Sequence, residues 1–362
     1  MKVAVKIMRW LGVFILAVVL ASLGFLWLGN YHPGPVETEA VACPESAPLL
    51  EAGQSLKVLT WNVQTMFGKN YVFWSDLPNN DGPDDMPSQE DITLAFEETL
   101  RVIRAEDPHI IMIQEIENGG RRTYNEDQLA RLMAMLPEYA CVTSTFSWKS
   151  AYVPHPRIKG SVGWEDAILS KYKITDAERI ALSFAKSDFV TDQFKIRPAL
   201  LKATMPVSDG SEFTALTVHL DLYVHDTDTK DVQLREIDAV LVELSAAGIP
   251  WVLGGDFNLL PPDDVSFSRL HPEHQKYYNT QSEIKYLFDR YQAVPSLEQA
   301  SGADFAAWLT RWPNDPAIPG PDRILDYFFL PDSVKLGAHY VRLEDTLHIS
   351  DHMPVIMEVT LP

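Results

Sequence analysis

Two stretches constrain the fold more than any other part of this chain. "HIIMIQE" (His109–Glu115) and "PWVLGGDFN" (Pro250–Asn258) are apolar almost without a break, then stop on carboxylates and amides. A strand wetted on one face alternates apolar and polar residues. A run this continuous reads as a strand buried on both faces. An amphipathic stretch precedes each run. Phe96, Leu100 and Ile103 share one helical face before Pro108 stops the first helix. Leu234, Ile237, Leu241 and Leu244 share one face of the second. "LKVLTWNVQ" (Leu56–Gln64) and "EFTALTVHLD" (Glu212–Asp221) supply the strands ahead of those helices. Two strand–helix–strand units result, the building unit of a sheet covered by helices.

Shorter strand-like pieces lie between the units: "DAILSKYKI", "ERIALSF" and "RPALLKATMPV". "RILDYFFLP" and "HMPVIMEVTLP" close the chain. These are more strands than one sheet comfortably holds. The expected class is α/β, with two packed mixed β-sheets and helices outside. "WSDLPNNDGPDDMPSQED" reads as a solvated loop; Asp81, Asp84 and Asp85 lack the alternation of an EF-hand calcium loop.

The N-terminal part reads differently. Trp10 to Gly29 holds no charge over twenty residues, about the length that spans a bilayer as a helix. Lys2, Lys6 and Arg9 precede it, and no acid occurs before Glu37. The positive-inside tendency makes residues 1–29 a membrane anchor, with the rest of the chain periplasmic or extracellular. A cleaved signal peptide and a secreted product form the alternative. "EAVAC" (Glu39–Cys43) offers a small-residue cleavage site, but it lies well past the apolar run. Residues 30–55 carry four prolines and no sustained periodicity, and read as a flexible linker. Residues 56–362 show neither an internal repeat nor a second linker, and are expected to form one domain.

The formal charge is −20, and the first thirty residues hold three cations and no acid, leaving −23 for the remainder. Such a surface repels polyanions and argues against stable nucleic-acid binding, although one local basic groove would suffice for it. The two cysteines, Cys43 and Cys141, stand in no metal-ligand spacing. An exported chain could join them; the place of Cys43 in the linker argues against a disulfide.

Polar residues end the apolar runs throughout. Asn62 ends "LTWN", Glu115 ends "IIMIQE", and His219 ends "ALTVH". Asp256 and Asn258 end "WVLGGDFN", Asp326 interrupts "RILDYFFL", and Asp351 and His352 precede "MPVIMEV". A lone Asp or His at a strand end is usually a hydrogen-bonded turn residue. So many of metal-binding or acid–base type are hard to explain as independent caps. Polar ends of buried strands are where ligands meet a sheet protein. The residue types suit metal-assisted phosphoryl hydrolysis. A hard cation such as Mg²⁺ takes carboxylate and carbonyl oxygens, as Glu115, Asn62 and Asp351 could supply. No cysteine cluster and no H-E-x-x-H occurs, against a thiolate or protease-type zinc site. His352 with Asp326 would make an oriented acid or base. His219 and Asn258 could donate to charge developing on phosphorus. Gly254 and Gly255 would let the backbone pass close to a bound group, and the two-residue spacing would point Asp256 and Asn258 to one side.

In their order, "TWN", "IQE", "TVHLD", "GGDFN", "RILDYFFL" and "SDHMPV" resemble the endonuclease/exonuclease/phosphatase superfamily of deoxyribonuclease-like metal phosphoesterases. "GWEDAILSKYKI" (Gly163–Ile174) and "IRPALLKAT" resemble its connecting strands, so the likeness covers Leu56–Leu361. It implies a four-layer sandwich and a Mg²⁺ (or Mn²⁺) site at one edge. By the same resemblance Asn62 and Glu115 hold the metal and Asp351 supports it. His219 contacts the phosphate or assists the leaving group, and Asn258 orients the water and phosphate. Asp256 positions or deprotonates the water, and Asp326 orients His352. The family's members differ on which of Asp256 and His352 is the base, and both stand.

Three residue groups remain open to two readings. Arg197 could clamp a phosphate or be an ordinary surface arginine. Asp322 rivals Asp326, and the resemblance, through the family's R-x-L-D-Y pattern, favours Asp326, with Asp322 beginning the strand. Trp308 and Trp312 in "AWLTRWPNDPAIPG" flank substrate or pack beneath a loop, with packing preferred. The expected function is a membrane-tethered, outward-facing, divalent-metal-dependent phosphodiesterase or phosphatase. Its substrate could be lipid, nucleic acid, nucleotide or inositol phosphate. A catalytically silent binding module would have lost a metal or base residue, whereas every position is filled here. A cytoplasmic nuclease is opposed by the anchor.

Overall fold

Fourteen strands form two seven-stranded mixed sheets in the computed structural model, which describes residues 2–77, 79–221 and 227–362. In chain order they are β1 (Val36–Thr38), β2 (Val41–Ala42), β3 (Ser55–Asn62), β4 (Ile110–Glu117), β5 (Cys141–Val153), β6 (Gly160–Ser170) and β7 (Asp176–Ala181). They continue as β8 (Ala199–Pro206), β9 (Glu212–His219), β10 (Trp251–Asp256), β11 (Gln292–Val294), β12 (Asp326–Leu330), β13 (Lys335–Val341) and β14 (Val355–Thr360). One sheet runs β13-β14-β3-β4-β6-β5-β2; the other runs β1-β7-β8-β9-β10-β12-β11. The helices include α1 (Lys2–Leu28), α2 (Gln89–Glu106), α3 (Gln128–Met135), α4 (Phe189–Asp192) and α5 (Thr229–Ala246).

Three apolar layers explain the continuous runs. Ile110 and Met112 of β4 face Val252 of β10 in the core between the sheets. Ile111 and Ile113 turn the other way, onto Phe96, Leu100 and Ile103 of α2 and Leu132 of α3. On the second sheet Trp251 and Leu253 pack against Leu234, Ile237, Leu241 and Leu244 of α5. Successive side chains of a strand point to opposite faces, so a strand with a sheet on one side and a helix on the other needs an apolar residue at every position. The order helix, sheet, sheet, helix is the expected four-layer sandwich. Ser88 caps α2 by accepting from the Asp91 amide, and Asp107 closes it in the left-handed conformation just before Pro108.

Each strand–helix–strand unit places a parallel pair at the middle of its sheet: β3 beside β4, and β9 beside β10. Parallel strands end on the same side. Asn62, Glu115, His219 and Asp256 are therefore delivered to one edge of the sandwich. Gly254 and Gly255 serve strand packing. A Cβ at Gly254 would overlap the Phe328 ring, and one at Gly255 would overlap the Val218 carbonyl of the neighbouring strand. The expected close approach is thus between strands, where no side chain fits, and not to a ligand.

Residues 30–55 depart from the linker reading. β1 pairs with β7 through Val36 and Ile180, and β2 pairs with β5 through Val41 and Thr143. Leu50 is fully buried. The segment straps the outer strands of both sheets, where unpaired N–H and C=O groups are available to a short partner. Pairing of β2 with β5 also brings Cys43 beside Cys141, and the two form a disulfide with Cα atoms 4.2 Å apart. The cysteines expected to stay apart are joined because the proline-rich segment is folded.

The helix α1 is long and apolar enough over Val5–Leu28 to cross a membrane, and that window is not buried against the protein. In the acidic loop, Asp84 is buried and paired with Arg122 at 2.7 Å. That carboxylate holds the loop in place.

Candidate active site

Asn62 bridges the two sheets. Its Nδ2 donates to Glu115 Oε1 at 3.0 Å and to Asp256 Oδ2 at 3.1 Å. Its Oδ1 accepts from the Gln64 amide at 3.0 Å, which fixes the orientation of the group because a backbone N–H can only donate. Asn62 therefore presents N–H, not oxygen, to the centre.

Glu115 reaches this point through a local irregularity. By alternation it would follow Ile111 and Ile113 toward the helices. Instead Glu115 has φ +58°, and the register with β6 shifts between Ile113 and Ile116. A left-handed residue at a bulge re-aims its side chain, here into the site. Asn258 also has φ +50° and lies beyond the end of β10. Its proximity to Asp256 comes from a turn and not from the same-side rule of a strand: the Asn258 amide donates to Asp256 Oδ1 at 2.9 Å. Asn258 Nδ2 donates to the Leu220 carbonyl at 2.8 Å, while its Oδ1 is buried without a partner. The buried Lys230 ammonium donates to the Asn258 carbonyl, and burial lowers its pKa to about 8.

His352 is fully buried. Its Nδ1 lies 2.8 Å from Asp326 Oδ2, and its Nε2 lies 3.4 Å from Asp256 Oδ2. The chosen partner is Asp326; Asp322 instead pairs with Arg323. Burial pulls the His352 pKa down, but the Asp326 and Asp256 carboxylates outweigh it and raise it to about 9. Burial lifts Asp326 to about 6 against the pull of His352. Burial acts the same way on Asp256, yet His352, His219 and Arg311 together hold its pKa below the usual carboxylate range. His219 Nε2 stands 3.5 Å from Asp256 Oδ2 and 3.7 Å from Glu115 Oε1. Burial disfavours its charge, but Asp256, Glu115 and Asp166 raise its pKa overall. Burial raises Glu115.

Arg311 is the residue that strand-end reasoning missed. It lies in the loop before β12, between Leu309 and Trp312, with no apolar run ending on it. Its Nη1 meets His352 Nε2 at 2.5 Å, and its Nη2 meets Asp351 Oδ2 at 2.8 Å and Asp76 Oδ1 at 3.7 Å. Asp166 was also missed. It is fully buried on β6, and burial first, then Glu115 and Asp256, raise its carboxyl to about 7. The flanking tryptophans pack as preferred: both lie against the core between the sheets, and Trp312 Nε1 donates to the Ile318 carbonyl at 2.9 Å.

A cavity of about 390 Å³ opens beside these groups. Glu115, His219, Asn258, Arg311 and Asp351 are among its polar lining residues, and Phe73, Trp74, Trp148, Trp164, Phe184 and Phe194 form an aromatic wall. Asp256 and His352 do not line it themselves but meet residues that do, Asp256 at His219 and His352 at Arg311. Arg197 is not among the lining residues: its guanidinium sits over the Phe184 ring and donates to the Asp192 carbonyl at 2.5 Å. Of the two readings of Arg197, the structure places its guanidinium away from the cavity lining, where Arg311 stands instead.

The donor set fits a hard divalent cation. Glu115, Asp351 and the unpartnered Asn258 Oδ1 offer oxygen to the cavity. Among the described residues Asp256, Asp326 and His352 also bring ligand-type atoms within 4.8 Å of one another, but the Asp326–His352 hydrogen bond already occupies two of them.

Residues 59–352 match the Endonuclease/Exonuclease/phosphatase family. No match is found among curated proteins. Three solved structures are similar in fold. An endonuclease/exonuclease/phosphatase from Beutenbergia cavernae DSM 12333 has a TM-score of 0.55 at 23% identity, over 85% of this chain and 72% of that one. The human Nocturnin catalytic domain with bound sulfate has 0.53 at 15%, over 90% and 97%. A protein of the same family from Bacteroides vulgatus has 0.52 at 14%, over 85% and 100%. Identities this low speak for the fold, while the family match covers most of the chain. The ordered strand ends, the two facing sheets and that match lead to one conclusion: this chain belongs to the endonuclease/exonuclease/phosphatase family.

Proposed function

We propose that the chain is a divalent-metal-dependent hydrolase of phosphoester bonds, tethered to a membrane by α1 with its catalytic domain outside the cytoplasm. Members of this family are phosphoester hydrolases, and the family generally uses divalent metals. The observation that carries the reading is the Asp326–His352–Asp256 series, which ends beside a cavity bordered by oxygen donors.

Glu115, Asp351 and Asn258 would hold Mg²⁺ or Mn²⁺, with Asn62 keeping Glu115 and Asp256 in place through its N–H groups. The ion would polarise a phosphoryl oxygen and lower the pKa of a bound water. Asp326 holds the proton on His352 Nδ1, so Nε2 is the atom that exchanges one. The protonated ring, which Asp326 and Asp256 favour, would give a proton to the departing alcohol, and the neutral ring would take one from water. Asp256, held ionised by its cationic neighbours, is the second atom able to accept the water's proton. His219 and Arg311 line the cavity and can donate to the phosphoryl oxygens. Water's oxygen ends on phosphorus, and the departing alcohol leaves with a proton.

The outward topology is supported by Lys2, Lys6 and Arg9 ahead of the apolar run and by the Cys43–Cys141 bridge, since disulfides persist in oxidising compartments. Two experiments test the reading. Hydrolysis of bis-p-nitrophenyl phosphate by the full chain should require Mg²⁺, stop with chelator, and vanish in Asp256→Ala. Metal-independent cleavage, or an active Asp256→Ala, sinks the assignment. A reporter fused after Pro362 that fluoresces only in the cytoplasm would reverse the topology.

A further inference from the structure

We infer that the mouth of the catalytic cavity works against the bilayer that α1 crosses, and that the substrate is a phosphoester carried by a membrane phospholipid. This rests on the hydrolase and anchor readings above.

No slack separates the helix from the domain. The helix ends at Leu28, and Gly29 already accepts from the Ala151 amide at 2.7 Å. Tyr31 donates to the Lys149 carbonyl at 3.2 Å, and His32 Nε2 meets Gln193 Oε1 at 2.7 Å. Trp27, still inside the helix, stacks on His32 with ring centroids 3.9 Å apart. A soluble substrate would be served equally well by a loose tether.

These contacts land on the two segments that build the apolar side of the cavity. Trp148 precedes Lys149, and Phe194 and Lys195 follow Gln193; all three line the cavity. Trp148 Nε1 donates to the Phe194 carbonyl at 2.9 Å and locks the segments together. Only Gly29, Asn30 and Tyr31 lie between Leu28 and His32, a reach of at most about 14 Å over four steps. The aromatic wall therefore begins within a short distance of where the helix leaves the membrane.

The same segments expose apolar side chains. Tyr152 is 46% exposed, Phe189 58% and Val190 49%. Phe189 and Val190 belong to α4, whose Phe189 carbonyl accepts from Gln193 Nε2 at 3.0 Å, one side chain away from His32. Aromatic and aliphatic residues beside a spanning helix seat in the interfacial layer. A lipid presented there would set its phosphate among His219, Asn258 and Arg311, with its apolar part along Trp148, Phe184 and Phe194. In the hydrolysis one P–O bond to an alcohol of the lipid breaks, water's oxygen takes its place on phosphorus, and the alcohol takes water's proton.

The test compares two substrates in one preparation. The full chain is reconstituted in vesicles of phosphatidylcholine, phosphatidylethanolamine, phosphatidylglycerol, cardiolipin and sphingomyelin with Mg²⁺. Lipid turnover is measured beside bis-p-nitrophenyl phosphate, for the parent and for Phe189→Asp with Val190→Asp. The double variant should lose roughly tenfold or more of lipid turnover, from the apolar contact it removes, and keep its turnover of the soluble ester. Equal losses on both substrates would mean that α4 acts through the fold, and no loss on either would mean that it does not seat; both overturn the inference. A parent that cleaves the soluble ester but no vesicle lipid overturns it too and leaves the hydrolase reading intact. A parent that cleaves neither removes the hydrolase reading as well.

Discussion

Arg311 Nη1 meets His352 Nε2 at 2.5 Å while His352 Nδ1 faces Asp326 at 2.8 Å. A guanidinium only donates, so Nε2 presents its lone pair to Arg311 and the imidazole proton sits on Nδ1. The surrounding carboxylates favour a second proton on that ring. An imidazolium and the Arg311 contact exclude each other. Whenever His352 takes a proton at Nε2, Arg311 gives up that contact, and a phosphate in the cavity is the natural alternative acceptor for its donors.

Arg311→Ala leaves the buried Asp351 and Asp76 carboxylates without their shared cation. Removing one partner of a buried pair costs roughly 3–5 kcal/mol, so the unfolding temperature in chelator should fall. Mg²⁺ should restore part of it, because a cation at Asp351 replaces the lost charge. Identical melting with and without Mg²⁺ would show that the ion does not bind near Asp351.

His352→Ala should lower kcat by about two orders of magnitude or more, the general range for acid–base groups, with an unchanged circular dichroism spectrum. Asp326→Asn should approach the same loss while leaving KM alone, since it removes the carboxylate that orients the buried ring and favours its protonated form. Full activity in either variant removes this pair from catalysis.

Glu115→Gln should raise the Mg²⁺ concentration needed for half-maximal rate by about tenfold, as expected when one carboxylate ligand loses its charge. A metal titration that overlays the parent's would exclude Glu115 as a ligand.

Reduction of Cys43–Cys141, or Cys43→Ser, frees a loop with a sequence separation of 98 residues. The chain-entropy estimate for a loop near that length is up to ~4.7 kcal/mol. The loss should appear as a lower denaturation midpoint with dithiothreitol. Because β1 and β2 hold the segment by backbone pairing as well, activity at low temperature should persist.

Burial raises the Glu165 carboxyl to about 7. A carboxyl whose folded pKa lies above its unfolded value favours the fold while protonated, and that contribution is lost as pH climbs from the unfolded pKa through the folded one. The cost above neutrality approaches roughly 3 kcal/mol. Glu165→Gln should therefore raise the melting temperature at pH 8 and change it little at pH 4. An equal gain at both pH values would point to packing instead.

Much of this protein is written locally. Ile110–Ile113 and Trp251–Leu253 needed apolar residues at each position because both faces of their strands are covered, and that pattern is visible without any partner. The residues that end those strands were legible for the same reason, since a parallel pair delivers its ends to one edge. What stayed hidden depends on groups distant in sequence. Asp326 was separable from Asp322 with certainty only by the hydrogen bond to His352. Glu115 turns inward because of a left-handed bulge that its residue type does not announce. Arg311 reaches His352 and Asp351 across a loop with no periodicity, and Cys43 finds Cys141 only because β2 pairs with β5. Periodicity records which face of one element is buried. Which distant charge or thiol comes to rest against that element is set by the packing of two sheets, and short-range sequence carries no trace of it.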